Sequence, residues 1–204
     1  MMLFQTEMPT NSKEKMLYAA LHLFTSKGYK NTSVLEIVEL AHVSKTTFYQ
    51  QFGSKEVIIL QLYERLVDEI TEEIRRAAEN EPKVGYKAYA GIRRYLEICF
   101  EEVQIADLVL LESVGISREV ENVRQEALHE LANLIFHVVY EETFGNVDQQ
   151  EIKMISQAMV GAINEVVIQN FRNKDTDKMD IEHMARLLNR LVTGAFKASF
   201  RQKS

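Results

Sequence analysis

The sequence predicts an all-α protein, and three observations carry that expectation. Apolar residues recur every three to four positions through nearly the whole chain, and no stretch shows convincing strand alternation. Only two prolines and eight glycines interrupt 204 residues. The breaks between periodic stretches carry helix caps: Ser, Asn or Asp before them and Gly or Pro after.

Residues 1–11 read as a loose leader. A first helix is expected from about Lys13 to Lys27, capped by Asn11 or Ser12, with Met16, Ala19, Ala20, Leu23 and Phe24 facing inward and Gly28 ending it. The next stretch, Ser33 to Phe52, reads as two short helices about a tight turn. Ser33 and Glu36 have the spacing of a capping box. Val34, Ile37, Val38 and Ala41 make one apolar face, and His42 and Val43 form the turn. Ser44 caps the second short helix, which Gly53 stops. This is the helix-turn-helix layout, whose second helix can enter a DNA major groove. Lys45, Thr46, Thr47, Tyr49 and Gln50 point outward, while Val43, Phe48 and Phe52 hold the helix to its domain.

Ser54 caps a long fourth helix from Lys55 to about Asn80, broken by Pro82. Helical periodicity continues over Val84–Gln104, over Ile105–Leu111 with an end near Gly115, and over Arg118–Phe144 with a stop at Gly145. It resumes from about Asp148 to Phe171 and, after a polar loop at Asn173–Asp177, from there to Phe200. About nine helices result. They are expected to form a helix-turn-helix domain at residues 1–53 and a larger helical domain at residues 54–204, joined through the fourth helix.

The run from Lys15 to Lys55 resembles a known family. Ala20, Phe24, Gly28, Thr32, Ser33, Ile37, Ala41, Val43-Ser44-Lys45, Thr47-Phe48-Tyr49, Phe52 and Ser54-Lys55-Glu56 are similar, in register, to the DNA-binding domain of the tetracycline-repressor (TetR) family of transcriptional regulators. Two positions depart from the family pattern. His42 stands where the family usually has the turn glycine, and Val38 where it favours alanine. A left-handed backbone costs histidine more than glycine.

The resemblance implies a ligand-responsive repressor released from a palindromic double-stranded DNA operator by a small, largely apolar effector. It implies that Lys45, Thr46, Thr47, Tyr49 and Gln50 face the operator. Gln50 can pair with adenine, and Tyr49 can reach a phosphate through its hydroxyl. Thr32, Ser33 and Lys55 are further phosphate candidates. It also implies a homodimer in which the last two helices of each subunit form a four-helix bundle. Two-fold symmetry suits a helix-turn-helix reader of two half-sites. The middle helices offer Tyr89, Ile92, Phe100, Leu108, Leu111, Phe136, Met159 and Ile163 as an effector pocket, with Asn164 and Glu112 as polar anchors. The rival reading is a helical small-molecule-binding protein or enzyme that has no DNA function.

Charge is compatible with DNA binding without requiring it. The net charge is −6, but residues 1–60 hold six lysines against five glutamates, and the remainder 18 basic against 25 acidic groups. The less acidic end is therefore the helix-turn-helix end. Cys99 is the single cysteine, so no intrachain disulfide can form. No apolar run approaches the roughly 20 residues that span a bilayer, and the start lacks a secretory pattern, so a cytoplasmic protein is expected. His22, His42, His129, His137 and His183 have no i, i+3 or i, i+4 partner among themselves. Neither a G-x-S-x-G elbow nor a phosphate-binding glycine loop occurs. Adjacent carboxylates such as Glu101-Glu102 splay about 100° apart on a helix and cannot converge as an acid–base pair. No catalytic residue, metal or cofactor is expected.

Overall fold

A computed structural model of the chain describes residues 8–142, 148–172 and 180–201. Those residues form helices α1 (Ser12–Lys27), α2 (Val34–Leu40), α3 (Lys45–Gln51), α4 (Lys55–Asn80), α5 (Val84–Glu101), α6 (Val103–Asp107), α7 (Arg118–Glu142), α8 (Gln149–Arg172) and α9 (Ile181–Arg201). A π-helical turn at Leu108–Glu112 follows α6 directly. No strand occurs among the described residues. The all-α expectation therefore holds. The expected stop at Gly145 and the polar loop at Asn173–Asp177 lie outside the described residues.

The chain packs as two compact units, each drawn from separate stretches of sequence. The first takes residues up to Glu69 together with Val103–Arg124, and the second takes Ile70–Glu102 together with the chain from Gln125 onward. Helix α4 is thus shared, and so is the start of α7.

In the first unit α1 supplies the central apolar face. Met16, Leu17, Ala20 and Phe24 are buried among Ile37 and Val38 of α2, Phe48 of α3, Phe52, and Ile58, Ile59, Leu62 and Leu66 of α4. Asn11 caps α1 by accepting from the Lys13 N–H at 2.8 Å. Gly28 ends α1 with φ +84°, a conformation that calls for glycine, and a Cβ there would stand 3.1 Å from Glu112 Oε2. The core is completed from far along the chain by Ile105 of α6 and by Leu108. That explains one departure from the sequence reading. The fifth helix stops at Glu101 instead of running to Gln104, because Glu102 leaves the helical region (φ −101°, ψ 55°) and redirects the chain so that Ile105 and Leu108 are buried. In the π turn the Ser113 N–H reaches Leu108 O at 3.0 Å. Val109 O accepts from both Tyr63 Oη at 3.3 Å and Ser113 Oγ at 2.8 Å.

Two ion pairs brace this unit. Arg65 grips Glu14 with two bonds of 2.6 and 2.8 Å, joining α4 to α1. Lys27 pairs with Glu36, joining the end of α1 to α2. The Arg65 bond holds the Glu14 carboxyl below its ordinary 4.5. The Lys27 bond, helped by the Ser33 N–H, pulls Glu36 down to about 2. Both groups are more acidic folded than unfolded. Their contribution is therefore present above the unfolded value of 4.5 and is lost as pH falls toward 2. Thermal unfolding followed from pH 6 to pH 2 is expected to show a midpoint that drops below pH 4.5, and the drop should be shallower in Glu14→Gln plus Glu36→Gln. Parallel profiles for the two proteins would contradict this assignment.

In the second unit α5 packs against α8 and α9, and α8 against α9. Ile92, Leu96 and Cys99 of α5, Ile152, Val160, Ile163 and Val167 of α8, and Met184, Leu188, Val192 and Phe196 of α9 are buried. Burial pushes the Cys99 thiol up to about 12, which leaves it a packing residue and not a nucleophile. Arg94 reaches Glu73 at 3.2 Å, tying α5 to the second half of α4.

Candidate nucleic-acid interface

The capping box at the start of α2 forms as its spacing predicts. The Ser33 N–H donates to Glu36 Oε2 at 2.8 Å, and the Glu36 N–H donates to Ser33 Oγ at 3.3 Å. The turn between α2 and α3 is closed by the Ala41 N–H to Ile37 O at 2.9 Å and the Val43 N–H to Val38 O at 3.0 Å. His42 adopts φ 53°, the one positive φ outside glycine among the described residues. An L-residue in that region pays about 1–2 kcal/mol, part of which glycine's greater freedom in the unfolded chain would cancel. His42→Gly is accordingly expected to stabilise the protein by about 0.5–1 kcal/mol. Urea unfolding checks this, and a less stable glycine variant would show that the histidine is not strained.

Ser44 caps α3, accepting from the Thr47 N–H at 3.0 Å. Phe48 is fully buried and Phe52 nearly so, their ring centroids 5.6 Å apart, and they anchor α3 from below. On the opposite side Lys45, Thr46, Tyr49 and Gln50 are exposed, with Tyr49 at 54%. Among the described residues, the side chains of Lys45, Thr46 and Gln50 form no hydrogen bond or ion pair. This is a contiguous strip holding one cation, one amide and two hydroxyls, presented on a rigid support.

Four other candidates sit differently. The Thr47 hydroxyl is half-buried and bonded to Ser44 Oγ at 2.9 Å, so it completes the cap. Ser33 is exposed, but its hydroxyl is bonded to Glu36 Oε2 at 2.8 Å. Thr32 is 2% exposed, and its hydroxyl donates to Gly28 O at 2.9 Å. Its side chain therefore holds the α1–α2 loop and does not offer itself to a phosphate. Lys55 Nζ donates to Tyr29 O and Thr32 O, both at 2.9 Å, and lies 4.2 Å from the centre of the Tyr29 ring. Tyr29 in turn donates to Glu56 Oε1 at 3.3 Å, and burial, with the Glu56 charge second, pushes the phenol up to about 12. Lys55 thus fastens the loop ahead of α2 to the start of α4.

The predicted effector pocket is only partly assembled. The second unit holds an aliphatic cavity of about 70 Å³ lined from α4, α5, α7 and α8, and of the eight predicted residues only Ile92 and Ile163 line it. Leu108 is buried in the first unit's core. Leu111 lines a separate polar cleft of about 530 Å³ in that same unit, beside the α1–α2 loop. Tyr89 is bonded through its hydroxyl to Glu182. The Phe136 ring stacks on Tyr140 at 5.6 Å under the Lys153 ammonium. Phe100 and Met159 are half-buried outside the lining. Of the two polar anchors, Asn164 lines the cavity and Glu112 borders the polar cleft. The missed lining residues include Ile74, Ala78, Ala88, Gly91, Tyr95 and Val160. The small side chains at 78, 88 and 91 on otherwise bulky faces were the available signal.

No group of three or more His, Cys, Asp or Glu side chains able to hold a metal occurs among the described residues. None of the described helices is long and apolar enough to cross a membrane.

Residues 16–62 match the family of bacterial regulatory proteins known as the tetR family. The chain is 33% identical over 94 residues to the uncharacterized HTH-type transcriptional regulator YuxN of Bacillus subtilis, covering 45% of this chain and 30% of that one. It spans less than half the length of the curated relatives it matches. In fold it is similar to the fatty acid degradation regulator FadR from Bacillus halodurans, with a TM-score of 0.74 and 22% identity over 92% of this chain and 97% of that one. A second similar structure is FadR from Bacillus subtilis in complex with stearoyl-CoA, with a TM-score of 0.73 and 19% identity over 89% of this chain and 97% of that one. The capped α2–turn–α3 geometry lies within the stretch, residues 16–62, that is similar to the tetR family of bacterial regulatory proteins, and the chain shares its fold with the FadR structures.

Proposed function

We propose that this protein is a cytoplasmic, ligand-responsive transcriptional repressor that binds a palindromic operator as a homodimer. The observation that carries the reading is α3. Its strip of Lys45, Thr46, Tyr49 and Gln50 is exposed, and the buried Phe48 and Phe52 fix its aim. Residues 1–53 form the reading head, and residues 54–204 bind effector and pair the subunits.

Dimerisation is assigned to α8 and α9. On α9 Leu187 and Leu191 are 40% and 54% exposed, and Gly194 and Ala198 continue the same face. On α8 Met154 is 68% exposed and is followed at helical spacing by exposed Ala158, Gly161 and Ala162. Apolar stripes edged with small residues suit close helix–helix packing about a two-fold axis.

The effector is a small, largely apolar molecule held in the second unit's cavity. That FadR of similar fold was solved with stearoyl-CoA supports an apolar occupant. Ile74 and Ala78 line the cavity, and they belong to α4, whose opposite half lies in the core with Phe48. An occupant that displaces this end of α4 alters the separation of the two recognition helices. It acts only if it binds the DNA-incompetent arrangement more tightly.

Fluorescence anisotropy against DNA from upstream of the protein's own gene tests the reading. Affinity is expected to exceed that for random DNA and to fall steeply with salt. A folded dimer with no preference at any salt concentration would reject it. Raised affinity on adding effector would make the protein a co-repressed regulator or an activator.

A further inference from the structure

The second unit's cavity has a composition that narrows what it can hold. Apart from Tyr95, Asn164 and Lys87, its lining is aliphatic. It contains no carboxylate, so a cationic ligand would lack a counter-charge. Tyr95 is the one aromatic ring in the lining, and its hydroxyl is committed to Asn164, so the walls favour aliphatic packing over stacking of a flat aromatic system. The polar groups meet at one place. Tyr95 Oη of α5 donates to Asn164 Oδ1 of α8 at 2.7 Å. That bond fixes the amide and commits its oxygen, leaving Nδ2 as the donor end. Among the described residues no group of the chain accepts from Asn164 Nδ2. Burying that donor against an aliphatic ligand would cost a hydrogen bond, so the favoured ligand brings an acceptor.

We infer that the cavity takes an aliphatic acyl chain whose carbonyl oxygen accepts from Asn164 Nδ2, with Tyr95 as the residue that positions the amide. This rests on the reading of the second unit as the effector-binding unit. Two sources share the chemistry: a neutral acyl ester or thioester, and an ionised fatty acid. Lys87 is the only ionisable side chain in the lining besides the Tyr95 phenol, and it can pair with the second.

The test is calorimetric titration of the full chain, without DNA, using methyl octanoate, sodium octanoate, octylamine and naphthalene. At least one acyl probe is expected to bind more tightly than octylamine and naphthalene. Asn164→Leu is expected to weaken it roughly 3–10-fold, the range for one neutral hydrogen bond. Tyr95→Phe, which keeps the amide but frees it to turn, is expected to weaken it less, and it serves if Asn164→Leu fails to fold. Sensitivity of octanoate to Lys87→Met marks the ionised source, and binding of the ester alone marks the neutral one. A preference for naphthalene or octylamine overturns the inference. So does acyl binding unchanged by Asn164→Leu, or by Tyr95→Phe where only that variant folds. Acyl binding that depends on Asn164 yet leaves DNA affinity unaltered would sustain the ligand class and refute the regulatory reading.

Discussion

Replacing Phe48 with alanine is expected to cost about 3–5 kcal/mol of unfolding free energy, the usual range for a core phenylalanine. Phe48 is fully buried, with Phe52 5.6 Å and Tyr49 5.4 Å from its ring centroid. Helix α3 has only seven residues, too few to be stable on its own propensity, so it depends on this anchor. Total stability is typically about 5–15 kcal/mol, and the loss would take a large share of it. Denaturant unfolding gives the number. A change below about 1 kcal/mol would mean that α3 is held by something other than its aromatic underside. DNA affinity should fall in step with the fraction unfolded, without any change in sequence preference.

The second expectation separates reading from folding. In Lys45→Ala with Tyr49→Ala the unfolding midpoint should hardly move, because both side chains are exposed and surface changes usually stay within about 0.5 kcal/mol. Operator affinity should nonetheless fall on the order of 1,000-fold in a dimer, at about 1 kcal/mol for each of the two lost contacts on each of two half-sites. The phosphate share of this loss should lower the salt slope, by about one for each lysine contact removed. Anisotropy titrations at several salt concentrations measure both effects. An unchanged affinity in the folded variant would place the DNA-reading surface elsewhere.

Much of the first unit was legible because its signals are local. The Ser33–Glu36 box, the Ser44 cap, the Gly28 stop and the Phe48–Phe52 anchor each depend on residues within a few positions of one another. His42 stood out because the family pattern carries glycine at that turn, and its φ of 53° is the strain that the departure implied. Contacts at long sequence range were not legible. Thr32 and Lys55 were candidates for phosphate because both are polar and lie at helix starts, whereas a bond across 23 residues joins them to each other. The cavity was harder still. Helical periodicity marks an apolar face but does not distinguish a face that fills its space from one that leaves a gap. Leu66 and Ile163 look alike in sequence, yet one closes a core and the other lines a cavity. Asn164 was recoverable because a lone amide on an apolar face needs a partner, and Tyr95 supplies it.

The interleaving of the two units bears on modular exchange. Grafting the reading head of one regulator onto the sensor of another is commonly conceived as one cut in the chain. Here a cut after residue 53 would strip the head of Ile58, Ile59, Leu62 and Leu66 and also of Ile105 and Leu108, which return from later in sequence. A chimera that respects this packing needs two transplanted segments, one ending at Glu69 and one spanning Val103–Arg124, spliced within helices α4 and α7.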